Sequence, residues 1–425
     1  YWDGREVHGA VASIMDTSGY LYVAGIGDGS GLPPHKDFLT AKYDSDGTEV
    51  WLSRFDGGVG GHDVPRALAL APDGCIYVAG YSRQSSGDYD LVLVKYDADG
   101  GELWSVTHPG MDSPDGGAYG LAVDDSSHAY VAGATSDGTA GDWVILKYDS
   151  EGAVVWSDVF SGADGLDDRP CGLELDPYGG VYVAGYEGTA ASGADYLSIK
   201  YDPDGTRLWT SSYNGDGDDT AHALAVDVLG RLYVTGMSEG DGTYGDCVTV
   251  KYDIDGTELA VARYDGPDHA DDSGDEILVD AEGTVYVGGT TWESESGRDY
   301  LTIRYEQSET SVAGGAGTTA EEPLVVRASS NPSSGAVGLR FRARRIDCVD
   351  RYAASDEVSR IRRPGRAVPV GRAEPVGGCR VRAQSRKPGG DRSGLARGEV
   401  ELVIPTGFVG ARIPLAPEDG DRCRR

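Results

Sequence analysis

Two stretches decide the architecture: Tyr77-Val78-Ala79-Gly80, and Asp90-Leu91-Val92-Leu93-Val94-Lys95-Tyr96-Asp97-Ala98-Asp99-Gly100-Gly101-Glu102-Leu103-Trp104. In the second, Asp90, Val92, Val94 and Tyr96 fall on one face of an extended strand, and Leu91, Leu93 and Lys95 on the other. Both faces are largely apolar, so the strand is covered on both sides. The Asp97-x-Asp99-Gly100 that follows is a tight-turn signature, and the run to Trp104 is the next strand of a hairpin.

These words recur. Tyr-Val-Ala-Gly begins at Tyr22, Tyr77, Tyr130 and Tyr182, with Tyr-Val-Thr-Gly at Tyr233 and Tyr-Val-Gly-Gly at Tyr286. Lys-Tyr-Asp begins at Lys42, Lys95, Lys147, Lys200 and Lys251, and becomes Arg304-Tyr305-Glu306 in the sixth copy. Trp51, Trp104, Trp156 and Trp209 follow the turns, with Ala260 in the fifth place. Each copy divides into four short strands rich in β-branched and aromatic residues, punctuated by Gly, Asp, Asn and Ser. No segment keeps a helical apolar period. Two-faced sheets repeated at a fixed period stack radially. The expectation is an all-β, six-bladed β-propeller of four-stranded antiparallel blades over residues 1–306, a linker over 307–322, and an incomplete, poorly ordered tail over 323–425. The sixth copy lacks a fourth strand after Glu306, and Tyr1-Trp2-Asp3-Gly4 matches the strand end Tyr264-Asp265-Gly266. The N-terminus is therefore expected to complete blade six.

Order and spacing of these motifs resemble the SBBP-type β-propeller repeat of secreted and surface bacterial proteins. The Asp-Gly-x-x-x-Trp portion also resembles the tryptophan-docking motif of pyrroloquinoline-quinone dehydrogenases, which informs the fold alone. Residues 323–341, with Asn331-Pro332 before an alternating strand, resemble the opening of a C-terminal sorting or flagellar-hook-capping-like Ig domain. That resemblance implies secretion or surface attachment. It stops after Phe341, where the text becomes Arg-rich. That region reads either as translation from a shifted frame or as a basic tail docking on the acidic propeller.

Charge divides the chain the same way. Of 425 residues, 1–306 hold 16 Lys and Arg against 56 Asp and Glu, whereas 307–425 hold 21 against 14. The formal net charge of -33 disfavours a nucleic-acid backbone. No apolar run is long enough for a membrane helix. Cations, glycans and proteins remain as partners, with a monomeric, extracellular or cell-surface protein expected. Six cysteines show no paired or metal-ligand spacing.

Function is less legible. Loops on one rim carry two rings of carboxylates: Asp63, Asp115, Asp168, Asp219 and Asp272, with His8 in the first place, and Asp37, Asp90, Asp142, Asp195, Asp246 and Asp299. They read as caps of backbone amides or as oxygen ligands for a hard cation. The irregular acidic loops around Asp216, Asp218 and Asp219, and around Asp268, Asp271 and Asp272, are the metal candidates, with calcium the expected ion. Trp292 is the candidate for sugar stacking, with His62 and His269 as further ligand contacts. The repeated Trp residues read as blade packing, and the Lys series as inter-blade ion pairs. No nucleophile elbow or zinc signature is present. A non-catalytic binding or adhesion scaffold working through its rim loops is the expected role. The alternative is a propeller hydrolase or lyase acting on polysaccharide.

Overall fold

The computed structural model describes residues 7–28, 36–57, 61–84, 86–111, 116–136, 140–215, 217–240, 244–266, 268–294 and 297–307, with further strands at 324–330, 337–343, 346–352, 379–385 and 396–402. Six four-stranded antiparallel sheets follow in chain order, and no helix occurs among the described residues. Blade two is typical, with Asp63–Leu70 innermost, then Ile76–Arg83, Tyr89–Tyr96 and Glu102–Met111. The first strands of all six blades surround a central cavity of about 400 Å³. This is a six-bladed β-propeller.

Blades adhere through apolar faces, as the two-sided third strand requires. Between blades one and two, Tyr22, Ala24 and Phe38 pack against Ile76, Val78, Val92 and Val94. Equivalent clusters join blades two to three, three to four, four to five and five to six. The Trp series seals the outer ends. Each indole N–H donates to a carbonyl in the next blade's turn, Trp104 to Ser150 at 3.0 Å and Trp209 to Ile254 at 2.9 Å. The Lys series reaches the same carbonyls, Lys95 to Ser150 at 3.0 Å. The ion pairs expected between blades are instead formed within a blade, Lys200 with Asp176 at 3.4 Å and Lys95 with Asp73 at 4.0 Å.

Blade six is closed differently from the expectation. Its fourth strand is Leu324–Ser330, paired antiparallel with Gly297–Gln307 from Leu301↔Ser330 to Gln307↔Leu324. The third strand's outer edge offers a full ladder, and the β-prone Leu-Val-Val-Arg-Ala-Ser-Ser run fills it. The segment read as the opening of an Ig-like domain is thus a propeller strand, and Tyr1–Gly4 lies outside the described residues. Among the described residues no Ig-like sandwich follows. The later strands form two separate hairpins, Val337–Ala343 with Ile346–Tyr352 and Cys379–Ser385 with Ala396–Leu402.

The junction between blades six and one is not packed like the rest. Phe38, Leu91, Trp143, Tyr196 and Cys247 occupy one repeat position and are each 0% exposed, but Tyr300 in that position is 67% exposed. On blade one, Leu21, Val23, Leu39 and Tyr43 are half-buried, where their blade-two counterparts Ile76, Val78, Val92 and Tyr96 are buried.

Candidate functional site at the channel mouth

The Gly that ends each Tyr-Val-Ala-Gly signature has a structural task. A Cβ on Gly80 would lie 2.1 Å from the Val64 carbonyl oxygen, and on Gly236 2.1 Å from that of Thr220. The first strand can press this close because it carries a β-bulge opposite the glycine. Register shifts fall between Ala10 and Ala12, Pro65 and Ala67, Pro170 and Gly172, Ala221 and Ala223, and Gly274 and Glu276, with the same slip in blade three at Tyr119. The bulged residues are therefore Val11, Arg66, Tyr119, Cys171, His222 and Asp275. Bulges re-aim side chains and concentrate beside functional sites. Here one position, supported by a recurring glycine, carries six different residue types between immediate neighbours that are Ala, Gly or Pro in all copies but for Glu276.

Two pairs of these residues interact across neighbouring blades beside the mouth of the channel. The Arg66 guanidinium lies 4.5 Å from the centre of the Tyr119 ring in the next blade. Cys171 and His222 line the cavity, beside Glu174, which accepts the Val226 amide at 3.0 Å. His222 Nε2 lies 3.2 Å from Thr220 Oγ1, and Nδ1 lies 3.0 Å from Ser273 Oγ and 3.5 Å from Asp275 Oδ1. Ser273 in turn donates to Asp275 at 2.7 Å. Burial works to raise the Asp275 carboxyl, but the hydrogen bonds from His222 and Ser273 prevail and hold it low. The mouth thus offers a guanidinium on an aromatic face, an imidazole held by a carboxylate and two hydroxyls, and a thiol.

Most carboxylates chosen from sequence hold backbone amides. Asp218 accepts the Ala194 amide at 3.0 Å, Asp271 that of Gly245 at 3.3 Å, and Asp268 that of Ser294 at 2.6 Å. Asp219 and Asp272 each accept a glycine amide, from Gly215 and Gly266. Asp216 lies outside the described residues. His269 leans on Asp265 at 2.6 Å, and His62 accepts the Arg83 amide through its backbone carbonyl at 3.0 Å. Trp292 is 46% exposed, whereas Trp143, likewise outside the repeated Trp series, is buried and donates to the Tyr186 carbonyl at 3.2 Å. The predicted set is therefore dispersed around the rim. Among its described members only Asp272 joins a tight carboxylate group, with Asp246 and Asp265, and Asp37, Asp56 and Asp63 form its counterpart between blades one and two.

Sequence reading missed the bulge ring. Its signal was available: five residues before the Asp or Ala that closes each first strand, the repeat stops repeating.

Residues 71–100 match a family described as a β-propeller domain of unknown function (DUF5122). No curated protein matches the chain. Solved structures similar to it include Drosophila Plexin A in complex with Semaphorin 1b, at 9% identity and TM-score 0.43, covering 77% of this chain and 78% of that one. A polysaccharide lyase is similar at 10% identity and TM-score 0.42, over 79% and 85% of the two chains. The calcium-binding protein regucalcin of Agrobacterium tumefaciens is similar at 13% identity and TM-score 0.34, over 67% and 83%. These likenesses concern the fold. No helix among the described residues is long and apolar enough to cross a membrane.

Proposed function

We propose that this propeller is a non-catalytic binding scaffold, secreted or held at the cell surface, that takes a protein or glycan ligand at the rim around its channel mouth. The bulge ring carries this reading. An architectural position repeats because every blade solves the same packing problem, but Val11, Arg66, Tyr119, Cys171, His222 and Asp275 solve no common one. Unlike residues converging on one opening suit recognition of one asymmetric ligand. The extracellular setting rests on the resemblance to the SBBP-type repeat. A single chain already assembles the whole ring, so a monomer suffices.

The test is binding of the full chain to glycan and peptide arrays beside the Arg66→Ala/His222→Ala double variant. Both side chains are partly exposed, and their loss is expected to weaken the best ligand at least about tenfold, the loss of roughly one good polar contact. Equal binding by the variant would remove the channel mouth from the function.

A polysaccharide hydrolase or lyase is the second reading, and one contact favours it. His222 stands between Asp275 and Thr220, an arrangement that orients an imidazole for proton transfer. Release of reducing ends or unsaturated products from an acidic or neutral polysaccharide, lost in His222→Ala, would replace the binding reading.

A further inference from the structure

The two tight carboxylate groups occupy the same place in the repeat. One unites Asp37, Asp56 and Asp63 across blades one and two; the other unites Asp246, Asp265 and Asp272 across blades five and six. In each, oxygens of all three carboxylates lie within 4.8 Å of one another, and two of the three residues are buried. The middle acid belongs to a short motif, Arg54-Phe55-Asp56-Gly57 and Arg263-Tyr264-Asp265-Gly266. At the other junctions its place is taken by Pro109, Ser161 and Asn214, and the arginine's by Thr107, Val159 and Ser212. The third carboxylate and the arginine thus come together or not at all. Arg54 pairs with Asp37 at 2.5 Å and Arg263 with Asp246 at 2.8 Å.

One guanidinium does not balance three carboxylates. The first group retains a formal charge of -2, and the second -2 or -1 as His269 beside Asp265 is neutral or protonated, a costly state beside buried surface unless a counter-ion supplies the difference. A second feature points to what is held there. Asp63 Oδ1 and Ser82 Oγ at the first junction, and Asp272 Oδ1 and Thr291 Oγ1 at the second, are buried oxygens with no hydrogen bond beyond the contact within each carboxylate–hydroxyl pair. All four residues are at most 1% exposed. Each hydroxyl converges with its carboxylate on one spot: a Cβ on Gly266 would meet Asp272 Oδ1 at 2.9 Å and Thr291 Oγ1 at 3.0 Å. In blade five Asp219 Oδ1 is likewise left over, but Ser238 Oγ beside it accepts from Arg263 at 2.7 Å and Asn214 stands in place of the third acid. Burial raises the Asp63 and Asp272 carboxyls, opposed by the Ser82 or Thr291 hydroxyl and a glycine amide.

We propose that each of these two groups binds a divalent cation of the calcium type, which clamps blade one to blade two and blade five to blade six. Carboxylate and hydroxyl oxygens are the ligands such hard ions select, with water free to complete the shell. A charge of +2 offsets the negative charge that the basic side chains leave. None of the six carboxylates belongs to the bulge ring, although Asp272 adjoins Ser273 there, so ion stoichiometry and ligand binding test the two readings separately.

Titration of the chelator-stripped full chain with calcium chloride, followed by calorimetry, should return two ions per chain. Asp56→Asn and Asp265→Asn should each return one, and the double variant none. The thermal midpoint should rise with calcium in step with the number of sites. A stoichiometry of zero in the wild type would reduce both groups to salt-bridged cross-strand pairs and overturn the proposal. So would binding that survives in the double variant. Terbium luminescence excited through neighbouring tyrosines provides an independent count should a variant fold poorly.

Discussion

Trp51 of blade one donates its indole N–H to the carbonyl oxygen of Ala98 in blade two at 3.0 Å, while its ring covers Gly100 of the same turn. A Cβ on Gly100 would come within 2.6 Å of that ring, and the glycine's φ of 85° disfavours any other residue. Trp104, Trp156 and Trp209 repeat the contact on Gly152, Gly205 and Gly256. The exception is informative. Blade five has Ala260 where the others have Trp, and blade six lacks the Asp-Gly turn that such a Trp would cover.

We therefore expect Trp104→Phe to cost about 1 kcal/mol, the worth of the lost hydrogen bond with most packing kept. Trp104→Ala should cost about 2–4 kcal/mol, somewhat less than a fully buried aromatic. Urea denaturation of the two variants measures both. Equal losses would mean that the ring packing contributes nothing, and an unchanged Trp104→Phe that the indole N–H contributes nothing.

Acid dependence should have two opposing parts. Burial raises the carboxyls of Asp63, Asp168, Asp219 and Asp272 in the folded state, so folding is favoured as pH falls through those raised values. Burial also works against Asp124, but amides of His128 and Ser126 and the His128 ring hold it low. Its stabilisation is present above the ordinary carboxylate value and disappears below it. With chelator present, stability should peak on the acid side of neutrality, above about pH 4. Denaturant midpoints measured across that range decide the matter; a steady decline on acidification from neutrality would contradict it.

Much of the fold was legible because one chain supplies six copies of the same solution. Period, two-faced third strand and acidic-Gly turn each follow from local chemistry that the repeat displays repeatedly. Blade six escaped the reading because its closing strand, Leu324–Ser330, belongs to no repeat and lies 17 positions beyond Gln307 in the chain. The channel mouth escaped for the opposite reason. Arg66 and His222 share no residue type, and a search for recurrence passes over the position where recurrence fails. The Asp rings drew attention through recurrence, and the structure uses Asp168, Asp219 and Asp272 to hold glycine amides.

The cysteines provide a probe of the mouth. Cys247 is buried, and burial pushes its thiol up to about 12, leaving almost no thiolate at neutral pH. Cys171 lines the cavity and is only partly buried. Peptide mapping after brief maleimide treatment should find Cys171 labelled well ahead of Cys247. A ligand seated at the mouth should slow labelling of Cys171 and leave Cys75 unchanged, since Cys75 sits at the far end of its blade's first hairpin. Protection of both alike would place the ligand elsewhere.

Tyr196 and Tyr300 offer the sharpest comparison, being the same residue at the same repeat position in two settings. Tyr196 is 0% exposed and packs toward blade five, with its hydroxyl on the Val248 carbonyl at 3.3 Å. Tyr300 is 67% exposed on the face of blade six that turns away from blade five. Truncation to alanine should cost about 3–5 kcal/mol at Tyr196 and within about 0.5 kcal/mol at Tyr300. Equal costs would mean that blade six closes on blade one in solution as tightly as the other blades meet. Unequal costs would identify that junction as the propeller's weak seam. In that case hydrogen exchange should be faster in Val285–Glu293 than in its counterpart Val181–Thr189, because opening there breaks one apolar contact face instead of two.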